Sequence, residues 1–282
     1  MIKIKIHDLK SFETFLGVAG KFVQQGQIVI KKEYSSLYCK NTKDFSTARL
    51  LLDTNTLTLS EDEEINEIKV CIRDISAFKS SINIIQIVEG LTTAILQVEE
   101  FKADDEIFAK FIEYKGKAKF KLISVDAQVI EQFISKDLTT KFDEDWKFFI
   151  EPAALDILQN RTGSIVNIQD DVSVYFYPEE NTETNEKLVM VDLNARKSTF
   201  INSIALPISH TFIGNIPDDR TEVAIHESSF RLLNILRVTD KHGIKCFFNA
   251  KFNIFYVSSE LKQEDSDMYI KSRLVVSIIK GK

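Results

Sequence analysis

The residues best placed to do chemistry are cations at helical spacing. Arg231, Asn234, Arg237 and Lys241 follow one another at steps of three, three and four, so a helix carries them on one face. A row of guanidinium and ammonium groups suits phosphate oxygens and reads no base edge. Lys10, Lys21, Arg73, Lys79 and Arg161 fall on or beside three other stretches of similar layout. One lysine on a helix is ordinarily a solvating group; the recurrence is what carries the reading. Covalent and metal chemistry find no comparable support. His7, His210, His226 and His242 are scattered, and Cys39, Cys71 and Cys246 lack metal-ligand spacing. The acidic pairs Asp104-Asp105 and Asp170-Asp171 sit in polar stretches and read as solvated turns. There is no glycine-rich phosphate loop. The expectation is a binding protein without catalysis, cofactor or metal.

Those cations must be held by repeated elements. Ile225–Gly243 reads as a strand end entering a helix, with Phe230, Leu232, Leu233, Ile235, Leu236 and Val238 as its apolar face and Gly243 as its stop. The same layout begins at Ile6, Ile72 and Ile150, so the four starts are 66, 78 and 75 residues apart. Each passes from an apolar run through a polar residue into a short amphipathic helix. Pro152 falls where a first-turn proline is tolerated. His7 and His226 occupy equivalent places and suggest a capping role. The first helix turns Leu9, Phe12, Phe15, Leu16 and Ala19 inward, and the second Ile75, Phe78, Ile82 and Ile85.

The rest of the chain alternates as strands do. Ile2, Ile4 and Ile6 share one face opposite Lys3 and Lys5. Further strands are expected over 27–32, 36–40, 48–52, 56–59 and 68–72, and over 93–101, 107–114 and 117–125. In the second half they are expected over 146–150, 164–168, 172–177, 188–194, 199–206, 221–225, 245–251, 253–258 and 269–280. A helix is expected over 153–158. The run at 61–67 reads as a solvated acidic turn, and PEENTETNEK from Pro178 as a loop. Residues 126–145 lack alternation and read as a connector. The domain plan is therefore 1–125, connector 126–145, and 146–282.

Bulk composition agrees with a packed α+β protein. Of 282 residues, 44% are hydrophobic and 21 are Phe, enough for a substantial core. Three widely spaced cysteines suit a reducing compartment. No run approaches the length of a membrane span. A net charge of −6 argues against indiscriminate nucleic-acid binding, though a basic stripe can sit in an acidic envelope.

Two halves, each of two β-α-β units and joined by a connector, resemble a DNA sliding clamp of the proliferating-cell-nuclear-antigen type, including the clamps of large bacteriophages. The likeness spans nearly the whole chain as a pattern. It is closest at Arg231–Arg237, where an arginine precedes a hydrophobic-Leu-Asn run as in the family's last inner helix. The resemblance implies the α+β DNA-clamp fold, with helices on one face of curved antiparallel sheets. It implies a homotrimeric ring around duplex DNA that tethers a DNA polymerase and is opened by a clamp loader. Lys10, Lys21, Arg73, Lys79, Arg161, Arg231, Arg237 and Lys241 would face the DNA. Phe45, Ile134, Leu138, Ile278 and Ile279 would form an apolar pocket for partner peptides. Residues 117–124 and 188–194 would be the edge strands that close the ring. The compartment implied is the cytoplasm of a bacterial or phage-infected cell, or a eukaryotic nucleus. Glu13 and Asp156 place acids on or near the supposed DNA face. A monomeric processivity factor of the same fold, holding DNA on one basic face, is the alternative. An unrelated α+β enzyme or structural protein is the other.

Overall fold

The computed structural model describes residues 2–43, 46–101, 106–111, 119–123, 146–150, 153–154, 156–157, 160, 172–180, 182–195, 201–206, 213–214, 223–226, 244–249, 254–262 and 267–277. The chain forms two compact units. One comprises Met1–Lys40, Leu50–Thr139 and Glu260–Ser272; the other comprises Asn41–Arg49, Thr140–Ser259 and Arg273–Lys282. Neither is a single run of sequence.

The elements in the first part of the chain are β1 (Ile2–Ile6), α1 (Leu9–Phe22), β2 (Gly26–Lys31), β3 (Ser35–Lys43), β4 (Ser46–Thr54), β5 (Leu57–Leu59), β6 (Glu67–Ile72), α2 (Ile75–Glu89), β7 (Ala94–Phe101), β8 (Glu106–Phe111) and β9 (Lys119–Ile123). In the first unit an antiparallel sheet runs β5-β1-β7-β8-β9. Alternation in β1 sets its faces. Ile4 stands between Leu59 and Leu96, and Ile6 between Leu57 and Ala94. All six side chains are buried, while Lys3 and Lys5 are exposed. Each isoleucine and leucine among them contributes roughly 1.5–3 kcal/mol of apolar burial. A one-residue slip of β1 would turn this row to water and bury the lysines. Strands β3, β2 and β6 pair antiparallel in that order.

Asp8, not His7, caps α1: its carboxylate accepts from the Ser11 backbone N–H. The His7 ring instead meets the Thr58 hydroxyl across the sheet at 2.8 Å. Burial and then the charge of Lys5 hold its pKa below the ordinary value. Asp74 caps α2, and Gly90, at φ 63, ends it in the left-handed conformation that favours glycine. Leu9, Phe12, Phe15, Leu16 and Ala19 are buried, as are Ile75, Phe78 and Ile82.

A latch joins distant parts of the sequence inside this unit. The Asn55 side chain accepts from Tyr269 N–H at 2.9 Å and donates to the Asp267 carbonyl at 2.8 Å. The Thr54 hydroxyl donates to the Tyr269 carbonyl at 2.8 Å. With its one proton so committed, it accepts from Thr56 N–H at 3.1 Å.

The later strands are β10 (Trp146–Ile150), β11 (Val172–Glu180), β12 (Lys187–Ala195), β13 (Ile201–Leu206), β14 (Ile213–Gly214), β15 (Val223–His226), β16 (Ile244–Asn249), β17 (Ile254–Lys262) and β18 (Tyr269–Ser277). The second unit pairs β14-β10-β16-β17 and β13-β12-β11-β15, all antiparallel. Phe148 of β10 and Phe176 of β11 are buried with ring centroids 5.7 Å apart. Residues 153, 154, 156, 157 and 160 are helical, in the stretch where the third helix is expected.

Two expectations are corrected here. The loop after Tyr177 is shorter, because β11 continues to Glu180 and Pro178 pairs with Val189. Among the described residues β15 pairs with β11 from Ser173 to Phe176, and Pro178 takes its pairing from β12. The stretch 188–194 is not an edge: β12 lies between β11 and β13. Among the described residues β13 and β15 end that sheet, and β9 stands at one end of its own. Cys39, Cys71 and Cys246 are buried and outside any disulfide, and burial pushes the Cys39 thiol up to about 12. Among the described residues no helix is long and apolar enough to cross a membrane.

Two outcomes follow for stability. Phe12→Ala should lower the unfolding free energy by about 3–5 kcal/mol, read from urea titration. Asn55→Ala leaves Tyr269 N–H without its acceptor, so amide hydrogen exchange at Tyr269 should accelerate while that in β10 stays unchanged.

Candidate nucleic-acid interface

α1 and α2 pack antiparallel. Ile75 N–H donates to the Gln24 carbonyl at 2.9 Å, placing the start of α2 beside the end of α1, and Leu9 N–H donates to Thr92 O at 2.9 Å at the other end. Phe12 stacks near Phe15, at 5.9 Å between centroids, and meets Phe78 edge-on at 6.1 Å. These contacts lie on the buried side. The helices come close at two glycines. A Cβ on Gly20 would stand 3.3 Å from Ser76 Oγ, and one on Gly17 would stand 3.4 Å from Lys79 Nζ.

The outer side carries the expected cations of this unit. Lys10 and Lys21 are exposed near the two ends of α1. Eleven residues advance about 16 Å and just over three turns, so both project from one face. Arg73 is exposed just before the Asp74 cap, at the end of the helix pair where Lys21 lies. Lys79 is half-exposed and reaches across to Glu13, with Nζ 3.6 Å from Oε1. Among the described residues no ion pair engages Lys10, Lys21 or Arg73. The structure thus brings Lys10, Lys21, Arg73 and Lys79 onto one helix pair. Arg161, Arg231, Arg237 and Lys241 lie outside the described residues, as do Phe45, Ile134, Leu138, Ile278 and Ile279.

The sequence reading attended to charge and passed over hydroxyls and glycines. Thr14, Ser80 and Ser81 each donate to the carbonyl four residues back, at 3.0, 2.9 and 3.0 Å. Their oxygens keep a lone pair with which they can accept from water. The signal was present as Ser76 and Ser80 one turn apart, and as two glycines within an apolar helix. Ile84, 53% exposed, interrupts this polar side of α2. The arrangement offers a few exposed or half-exposed cations and several hydroxyls on one helix pair. It can hold a polyanion loosely through water and ammonium contacts. Among the described residues no cluster of His, Cys, Asp or Glu could hold a metal ion.

Comparison with solved structures assigns the architecture. Over 99% of both chains the protein matches a proliferating cellular nuclear antigen from Entamoeba histolytica, with a TM-score of 0.63 and 12% identity. Over 98% of both chains it matches a PCNA2–PCNA3 complex from Sulfolobus tokodaii, with a TM-score of 0.59 and 12% identity. No protein-family model matches the chain, and no curated protein does. The chain has the α+β clamp fold of the proliferating-cell-nuclear-antigen structures.

The Asp74 cap makes the helix pair acid-sensitive. The Ala77 N–H at 2.8 Å, more than the Gln24 amide, holds its carboxyl below the ordinary 3.8. A lowered carboxylate pKa stabilises the fold above the ordinary value, and that contribution fades as pH falls through the lowered one. Wild-type Tm should therefore drop more steeply below pH 4 than that of Asp74→Asn, which caps without titrating.

Proposed function

We propose that this protein is a DNA sliding clamp, a homotrimeric ring that encircles duplex DNA and tethers a DNA polymerase. The observation carrying this reading is a clamp fold over the whole chain whose first two helices gather Lys10, Lys21, Arg73 and Lys79 on one polar side. On this reading Arg161, Arg231, Arg237 and Lys241 extend that surface along the other helices. The domains are 1–125 and 146–282, with 126–145 as connector. The polar side faces the hole, and sequence-independent contacts to phosphates leave the ring free to slide.

Among the described residues strands β9 and β13 each end a sheet, and an end strand is where a second chain can pair. Antiparallel joining of β9 in one protomer to β13 in the next closes the ring, taking the role first expected of 188–194. A clamp loader opens the closed ring. Partner peptides dock against Phe45, Ile134, Leu138, Ile278 and Ile279. No cofactor and no catalytic step are required.

Light scattering on the size-fractionated protein should give ~97 kDa, three times the 32.3 kDa chain. Ring loaded onto nicked circular DNA should stay bound in high salt and be lost when the circle is cut. A monomer at every concentration that binds linear and circular DNA alike would establish the one-face processivity factor instead.

A further inference from the structure

We propose that Glu13 and Gly17 form a resting seat for Lys79, in which the Glu13 carboxylate stands in for a DNA phosphate until a real one displaces it. The inference rests on the clamp reading of this face and adds a device that tunes it.

Lys79 Nζ lies 3.6 Å from Glu13 Oε1. Its Cδ, Cε and Nζ lie 3.9, 3.5 and 3.4 Å from where a Cβ on Gly17 would stand. The side chain therefore lies across α1 and is not extended into solvent, and the glycine leaves it that space. The seat is open. The Lys79 side chain is 39% exposed and that of Glu13 23%, so a phosphate can approach the ammonium. Carboxylate and phosphodiester each carry a single negative charge and accept the same N–H donors. Swinging from one to the other leaves the lysine paired throughout. An exposed pair of this kind is weak, so displacement costs little. Lys10, Lys21 and Arg73 have no such carboxylate among the described residues. The face thus has three standing cations and one held in reserve. A reserve cation lowers affinity at rest and lets one contact be made and released as the ring moves.

The test is fluorescence anisotropy of the full-length protein with a short labelled linear duplex, which can thread a closed ring, over a range of salt. Glu13→Gln should tighten binding about two- to fivefold, the equivalent of one exposed ion pair. Gly17→Leu, which fills the seat without changing charge, should tighten it in the same direction. Both gains should vanish in a Lys79→Ala background, and Lys79→Ala alone should flatten the log–log salt slope by about 0.9. A Glu13→Gln gain of equal size with and without Lys79 would show general repulsion and overturn the seat. So would no gain at all while Lys10→Ala and Lys21→Ala weaken binding. If Lys10→Ala, Lys21→Ala and Arg73→Ala all leave binding unchanged, the DNA-facing reading itself fails, and the seat with it.

Discussion

The polar face depends on how closely α1 and α2 can approach. Two helices share one surface only if their axes are near enough for side chains of one to lie over the other. Here the approach is set from two sides. Phe12, Phe15 and Phe78 fill the buried side. On the other side Gly17 and Gly20 remove the bulk that would hold the helices apart. Lys79 can reach Glu13 only because of that closeness. The backbone bonds Ile75–Gln24 and Leu9–Thr92 then fix both ends of the pair, so its cations keep their spacing. Helix geometry, glycine placement and charge are one construction.

The resulting surface is moderate in strength. A dense lysine array would bind a polyanion tightly and resist translation along it. Here hydroxyls that already satisfy their own helix, as in Thr14, Ser80 and Ser81, alternate with a few ammonium groups. Ile84 contributes no polar contact at all. In a chain of net charge −6 the electrostatic pull is local to the helix pair and not a property of the whole protein.

The sequence made the elements of the first unit legible because their patterns are strong. Alternation in IKIKI gave β1 and its faces, and the spacing of Leu9, Phe12, Phe15, Leu16 and Ala19 gave the buried side of α1. The loop after Tyr177 was misread because a proline looks like a breaker, whereas Pro178 sits in β11 opposite Val189. The order of β12 and β13 was not readable at all, since which strand is an edge depends on partners far along the chain. The capping histidine was misplaced by one residue, because Asp8 follows directly and does the capping. Lys79 was legible as a cation on α2. Its partner was not, because Glu13 is 66 residues earlier and nothing local links them.

The hydrogen bonds from Thr54 and Asn55 to Asp267 and Tyr269 set a schedule for biosynthesis. A chain emerging from the ribosome folds its earliest parts first when their contacts are local. The first unit cannot follow that rule to completion, because Glu260–Ser272 belongs to it. The β1–β5–β7 layer and the helix pair can assemble early. The groups of Thr54 and Asn55 must then wait, solvated, while more than two hundred residues are translated. Closure across so long an interval is slow. The first unit is therefore completed only after most of the second unit's sequence has been made.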